Sequence, residues 1–220
     1  MSIVNTRDKI LQTKLVYYGP GLGGKTTSLQ VVHSMLDPEG RVKLVSLNTE
    51  QERTLFFDFL PIQLGTIGNY RIRIQVFTVP GQVKYNLTRR YVLMGADAVV
   101  FVADSDAARL NENEESLGNL RNNLEANGLD PEEIPVVLQL NKRDLPRIST
   151  VQEMQSRLVW PGAICFESSA AQRKGVFEPF VEASRLMLQS VVERFDLDPQ
   201  PRVVGERISR RLMDLAAQTP

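Results

Sequence analysis

Apolar and polar positions along the chain follow two rhythms: short runs that suit strands, and stripes spaced three and four residues apart that suit helices. The first run, Leu15 to Tyr18, follows a polar leader that reaches to about Gln12 and to which no chemistry is assigned. Beyond it, Leu29, Val32 and Leu36 keep one helical face while Gln30 and His33 turn away from it, and Asp37-Pro38-Glu39-Gly40 supplies a turn. Val42, Leu44, Val45 and Leu47 predict a short strand. The segment from Asn48 to Pro61 mixes charges with three phenylalanines and fits neither rhythm, so it is expected to be irregular. From Tyr70 to Val79 the alternation is strict. Ile72, Ile74 and Val76 share a face with Tyr70, while Arg71, Arg73 and Gln75 take the other, which predicts a half-exposed strand near a sheet edge.

Pro80-Gly81 ends that strand, and Arg89 to Gly95 can form a short helix. Ala98 to Ala103 is continuously apolar and Ile134 to Leu140 is apolar apart from Gln139, as central strands covered on both faces would be. Between them Leu117, Leu120 and Leu124 repeat at helical spacing until Asn127-Gly128. Thr150-x-x-Glu153 is a capping box, Ala163 to Phe166 predicts the last strand, and Phe177, Phe180, Val181, Ser184, Leu188, Val191 and Phe195 form the stripe of a long core helix. Strands alternating with helices predict an α/β domain with a mainly parallel central sheet flanked by helices on both faces. Ligands of such sheets bind at the carboxyl ends of the strands.

At 220 residues and 42% apolar content the chain suits one domain with an appendage. Pro199-Gln200-Pro201 interrupts it after the last core helix, dividing a main domain, residues 1–198, from a C-terminal extension, residues 199–220. The 26 basic and 26 acidic residues cancel, so no global charge draws the protein to nucleic acid or membrane, and nucleic-acid binding is not expected. The single cysteine, Cys165, rules out an internal disulfide, suits a reducing cytoplasm, and is expected to be a buried strand residue. No apolar stretch reaches the length of a membrane span, and neither chain end carries a lipidation signal.

Gly19, Gly24, Lys25 and Thr26 complete the pattern G-x-x-x-x-G-K-[ST] of a P-loop NTPase between the first strand and the first helix. Glycines let backbone N–H groups close around phosphate oxygens, the lysine reaches the β- and γ-phosphates, and the hydroxyl ligates Mg²⁺. The stretch Gly19, Gly21, Leu22, Gly23, Gly24, Lys25, Thr26 and Thr27 is therefore the expected phosphate cradle, with Thr26 a metal ligand. Asn141-Lys142-Arg143-Asp144 closes an apolar strand, and Ser168-Ser169-Ala170 follows. Together they match the guanine-reading N-K-x-D and S-A elements of small GTPases. A carboxylate at Asp144 can accept from guanine's N1–H and exocyclic amino group at once, a donor pair that adenine lacks. Asn141, Lys142, Asp144, Ser169 and Ala170 are the expected base-binding residues.

Two further stretches stand where Ras-like proteins carry their switches. In Thr78-Val79-Pro80-Gly81-Gln82, Gly81 would present its N–H to the γ-phosphate and Gln82 would orient the attacking water. In Glu52-Arg53-Thr54-Leu55-Phe56-Phe57-Asp58-Phe59, Thr54 is a candidate for Mg²⁺ and the γ-phosphate. Arg53 reads either as an arginine finger supplied in cis or as a solvated charge paired with Glu50 or Glu52.

Taken together, GPGLGGKTT, ERTLFFDFLP, TVPGQ, VVFVADS and NKRDLP resemble the MglA family of bacterial Ras-like GTPases, switches of gliding motility and cell polarity, from about residue 9 to residue 195. The resemblance implies a Ras-like G-domain with an extra edge strand, GTP/GDP and Mg²⁺ as ligands, and a Roadblock/LC7-fold, MglB-like activator. It further implies unidentified effectors, a cytoplasmic place with recruitment to a cell pole, and catalytic roles for Arg53 and Gln82 with Thr54 in switch I. Compared with Ras-like proteins in general, Thr78 replaces an aspartate, which points to weaker Mg²⁺ coupling because a hydroxyl is neutral. Gly23 also stands where the family tends to carry Cys or Ser.

A slow GTPase used as a switch is the leading expectation. A nucleotide-bound scaffold with little hydrolysis is the alternative, which Thr78 permits and which Arg53 and Gln82 oppose; an ATP-dependent kinase is opposed by the want of a lid segment and by Asn141 and Asp144. In the extension, Val204, Ile208, Leu212 and Leu215 fall in one helical stripe flanked by Arg207 and Arg211. A helix this short needs a surface to lie on. Either it packs back on its own domain or frays, or it docks on a partner protein or, peripherally, on an anionic membrane.

Overall fold

A computed structural model describes residues 3–37, 39, 43–47, 57–82, 85–198 and 200–217. The polar leader is a hairpin arm: β1 (Ile3–Asn5) runs antiparallel to the start of β2 (Ile10–Tyr18). The P-loop follows β2 and leads into α1 (Lys25–Leu36). Next come β3 (Val45–Leu47), β4 (Phe57–Ile67), β5 (Tyr70–Thr78) and α2 (Asn86–Leu93). The chain continues through β6 (Ala98–Asp104), α3 (Leu110–Glu125), β7 (Val136–Asn141), α4 (Val151–Arg157), β8 (Ile164–Glu167) and α5 (Phe177–Arg194). It closes with α6 (Pro201–Ala217).

The sheet order is β3-β4-β5-β2-β6-β7-β8, with β1 beside β2. Strands β5, β2, β6, β7 and β8 are mutually parallel, while β3 and β4 join antiparallel. Helices α1, α5 and α6 cover one face, with Phe180 of α5 in a core with Leu15, Tyr17 and Ile74; α2, α3 and α4 cover the other, with Leu117 of α3 and Met154 of α4 in a core with Val16 and Phe101. Strands β6 and β7 are buried at every position, as their apolar runs require, and Gln139, the polar residue within the β7 run, donates to Ser28 Oγ and Ser168 Oγ at 3.0 Å. Thr150 caps α4 by accepting from the Glu153 N–H at 3.1 Å.

Several expectations are corrected. The end of the segment expected to be irregular opens an eleven-residue strand, β4, whose alternation buries Asp58, Leu60, Ile62 and Leu64 together. Pro61 and a bulge between Gln63 and Gly65 had obscured that period. Strand β5 is internal, between β4 and β2; its exposed Arg71 and Arg73 mark a face without a helix over it rather than an edge. Phe195 lies just past the end of α5 and is 38% exposed, and Cys165, on edge strand β8, is half-buried.

Helix α6 packs on α5, α1 and β4, and it buries Val204, Ile208 and Leu212 in the domain's own core. The stripe is thus used within the chain, and the outward face carries Arg202, Glu206, Arg207 and Arg210. Gly65 at the bulge has φ +82°, a backbone conformation that favours glycine, and the guanidinium of Arg211 on α6 lies against it. Among the described residues no helix is long and apolar enough to cross a membrane.

Candidate functional site

The P-loop leaves β2 through three residues of positive φ, Gly19, Leu22 and Gly24. Gly24 is constrained twice: its φ is +102°, and a Cβ would lie 2.2 Å from Asn141 Nδ2. It also begins α1, where no side chain caps the N-terminus and no acid sits in the first turn. The helix therefore presents N–H donors and its positive end to the loop, a ready anion site. Lys25 closes the loop, its Nζ donating to Pro20 O at 2.6 Å and Gly19 O at 3.1 Å. Burial, aided by the nearby Arg89 charge and opposed by Asp58, pulls the Lys25 ammonium down to about 7. A phosphate beside it would restore the charge.

A cleft of about 380 Å³ opens beside this loop, lined by Lys25, Thr26, Thr27, Asp58, Thr78 and Gly81 among others. Within it, Asp58 supplies a carboxylate that sequence reasoning missed. Thr26 Oγ1 donates to Asp58 Oδ2 at 2.7 Å and Thr78 Oγ1 donates to the same oxygen at 2.8 Å. The Asp58 N–H in turn donates to Thr78 Oγ1 at 2.8 Å. The negative charge missing from position 78 thus stands one strand over, so Thr78 does not leave the site short of charge. Its signal was present: a lone acid on the apolar face of an alternating strand, beside a motif lacking its usual acid. The hydroxyls of Thr26 and Thr78 with the Asp58 carboxylate form an all-oxygen donor set that fits a hard divalent cation.

The base-side residues gather at the end of β7. Asn141 ties them to the P-loop: its Nδ2 donates to Gly23 O at 2.9 Å, while its Oδ1 accepts from Ala170 N at 2.9 Å and Ser168 Oγ at 3.1 Å. Lys142, at φ +67°, reaches Asp104 Oδ2 at 2.6 Å, which fixes its stem across the end of β6. Asp144 is exposed, and Ser169 is buried beneath Ala170 in the loop after β8, where its hydroxyl accepts from Gln172 N at 3.2 Å.

Switch II packs directly on the P-loop: a Cβ at Gly81 would meet Gly21 Cα at 2.4 Å. Gln82 follows with its side chain exposed and its carbonyl accepting from Tyr85 N at 3.1 Å. Leu22 is 86% exposed at the lip of the cleft. Arg53 and Thr54 lie outside the described residues. The structure therefore brings together the phosphate loop, a carboxylate with two threonine hydroxyls, and a base-side loop at the carboxyl ends of the parallel strands, with Asp58 delivered to that edge by the start of antiparallel β4. Such a site can hold a nucleotide polyphosphate and its counter-cation with the base at β7.

A sequence model of the ADP-ribosylation factor family matches residues 11–180. The Mutual gliding-motility protein MglA of Myxococcus xanthus (strain DK1622) is 47% identical over 188 residues, which cover 86% of this chain and 96% of the relative.

Proposed function

We propose, from the premise that the chain belongs to the MglA family of Ras-like small GTPases, that its GTP hydrolysis times a switch for cell polarity or gliding motility. In this reading a Roadblock/LC7-fold activator accelerates hydrolysis, effectors read the GTP state, and the protein works in the cytoplasm with recruitment to a cell pole. The observation that carries it is the junction at Asn141, which joins the phosphate loop at Gly23 to the base loop at Ala170. One rigid unit then senses both the guanine and the phosphate number. Asn141, Lys142, Asp144 and Ala170 take the base, and Gly19 to Thr27 cradle the phosphates. Thr26 and Asp58 would hold Mg²⁺, with Thr54 added from switch I, and the ion would neutralise phosphate charge. Gly81 senses the terminal phosphate, Gln82 orients water, and Arg53 offsets developing charge.

The name of the Myxococcus relative supports the motility reading, and the carboxylate of Asp58 supports turnover over an inert scaffold. The test is single-turnover GTP hydrolysis with and without a Roadblock-type activator, on the parent and on Arg53→Ala. Acceleration in the parent that falls by roughly 10³-fold or more in Arg53→Ala is expected of a finger. A parent rate indifferent to the activator would refute the switch reading, and an Arg53→Ala rate equal to the parent's would demote Arg53 to a surface charge.

A further inference from the structure

Arg89 on α2 is only 2% exposed, yet its guanidinium is met by uncharged groups. Its Nε donates to Pro80 O at 2.8 Å, one terminal nitrogen donates to Gly81 O, and the other donates to Asn119 Oδ1 at 2.9 Å. The guanidinium lies 5.4 Å from the ring centre of Tyr18. That seat is itself braced: Tyr18 Oη donates to Asn119 Oδ1 at 2.5 Å, and Asn119 Nδ2 donates to Asn86 Oδ1 at 2.8 Å. Burying a guanidinium carries a large desolvation cost, and an apolar side chain of similar volume would fill the space without it. What an apolar side chain cannot do is hold two successive carbonyls.

Those carbonyls belong to the switch II turn. In a trans peptide the C=O and the following N–H point in opposite directions, and the described residues contain no cis bond. With Pro80 O turned to Arg89, the Gly81 N–H points away from it; with Gly81 O turned to Arg89, the Gln82 N–H does the same. Gly81 lines the phosphate-side cleft and also a second cavity of about 340 Å³, on the α3 side, that Arg89 lines. On the P-loop side, Arg109 holds the opposing peptide, donating to Gly21 O at 3.0 Å.

We propose that Arg89 is a positioning residue for GTP hydrolysis: pinning the Pro80 and Gly81 carbonyls from the α3 side, it aims the Gly81 and Gln82 N–H donors at the terminal phosphate and fixes the root of Gln82. The proposal rests on the GTP reading of the site. It separates GTP from GDP, because GDP has no phosphate for those donors to reach.

The experiment measures release of fluorescent GTP and GDP analogues from the parent, Arg89→Lys and Asn119→Ala. Lysine keeps the charge but offers no fork to hold both carbonyls. GTP release should quicken about tenfold in Arg89→Lys, the worth of one hydrogen bond to a charged group, with GDP release unchanged. Asn119→Ala should move the same ratio in the same direction by less, and single-turnover kcat should fall in both while KM for GTP rises. A general loosening would speed release of both nucleotides together. That result, or a parental GTP-to-GDP ratio in Arg89→Lys, overturns the proposal; should Arg89→Lys not fold, the ratio in Asn119→Ala decides it alone. A parent chain that retains neither nucleotide would overturn the GTP reading beneath it, which no variant is needed to see.

Discussion

Replacing Asp58 with Asn should uncouple the nucleotide from Mg²⁺ while leaving the fold in place. The amide is nearly isosteric, but Asp58 Oδ2 accepts from both Thr26 Oγ1 and Thr78 Oγ1, at 2.7 and 2.8 Å, and loses its charge. The upper bound is Coulombic, for a carboxylate that holds the ion through a bound water: a unit charge about 5 Å from a divalent cation at an effective dielectric of about 20 is worth roughly 7 kcal/mol. The lower bound is the loss of hydrogen bonds to a charged acceptor, about 1.5–3 kcal/mol. Phosphate oxygens and the retained amide dipole offset most of the first, so the outcome should lie near the second. That is roughly a ten- to hundredfold rise in the Mg²⁺ concentration needed to slow GDP release. The assay is release of a fluorescent GDP analogue across a Mg²⁺ titration. Thr78→Asp added to Asp58→Asn should restore much of the loss, because it returns a carboxylate to the neighbouring strand at the same spot. A parental Mg²⁺ midpoint in Asp58→Asn would refute the assignment.

Asp144→Ala should cost several kcal/mol of GDP affinity by leaving two guanine donors unpaired, with phosphate contacts intact; binding of labelled GDP at parental affinity with ADP still excluded would contradict this. Lys25 is held down to about 7, so burial of its ammonium burdens the nucleotide-free fold most below pH 7, and the burden fades as pH rises toward the unfolded lysine's ordinary value. Nucleotide, which restores the charge, should therefore take up a proton near pH 8.5, and binding heats that do not differ between buffers of unlike ionisation enthalpy would show that it does not. A chain ending at Asp198 exposes the seats of Val204, Ile208 and Leu212, each worth roughly 1.5–3 kcal/mol when buried, before the ordering entropy of α6 is subtracted. Its melting temperature should fall, and an unchanged one would mean that α6 adds no net stability.

What the sequence disclosed best were elements whose residues answer to a single local demand. The apolar runs of β6 and β7 needed cover on both faces, and the P-loop carries glycine at two of its three positive-φ positions, Gly19 and Gly24. The capping box before α4 needed three residues of context. Strand β4 answered to several demands at once. Its inward face mixes Asp58 with Leu60, Ile62 and Leu64, its outward face carries Pro61, and its bulge breaks the period at Gln63. A pattern read in windows averages such a strand away. Helix α6 was legible as a helix but not in its destination, because a stripe of apolar residues does not say which surface it covers.

The residues that sequence reading missed share one property: they act across the sheet or between layers. Asp58 reaches the phosphate cleft because β4 pairs antiparallel with β5, where the register sets Phe59 opposite Phe77 and brings Asp58 beside Thr78. The charge that Ras-like sites place on β5 is thereby supplied from the next strand, and neither strand betrays it alone. Arg89 reaches switch II from α2, where Asn119 of α3 and Tyr18 of β2 build its seat. In both cases a polar group is buried at a cost, and the acceptors or donors that offset it come from outside its own strand or helix. A site of this kind is therefore found by asking of each buried charge which backbone or hydroxyl groups it holds in place. At Asp58 and Arg89 the answers converge on the two sides of Gly81, which lines both cavities.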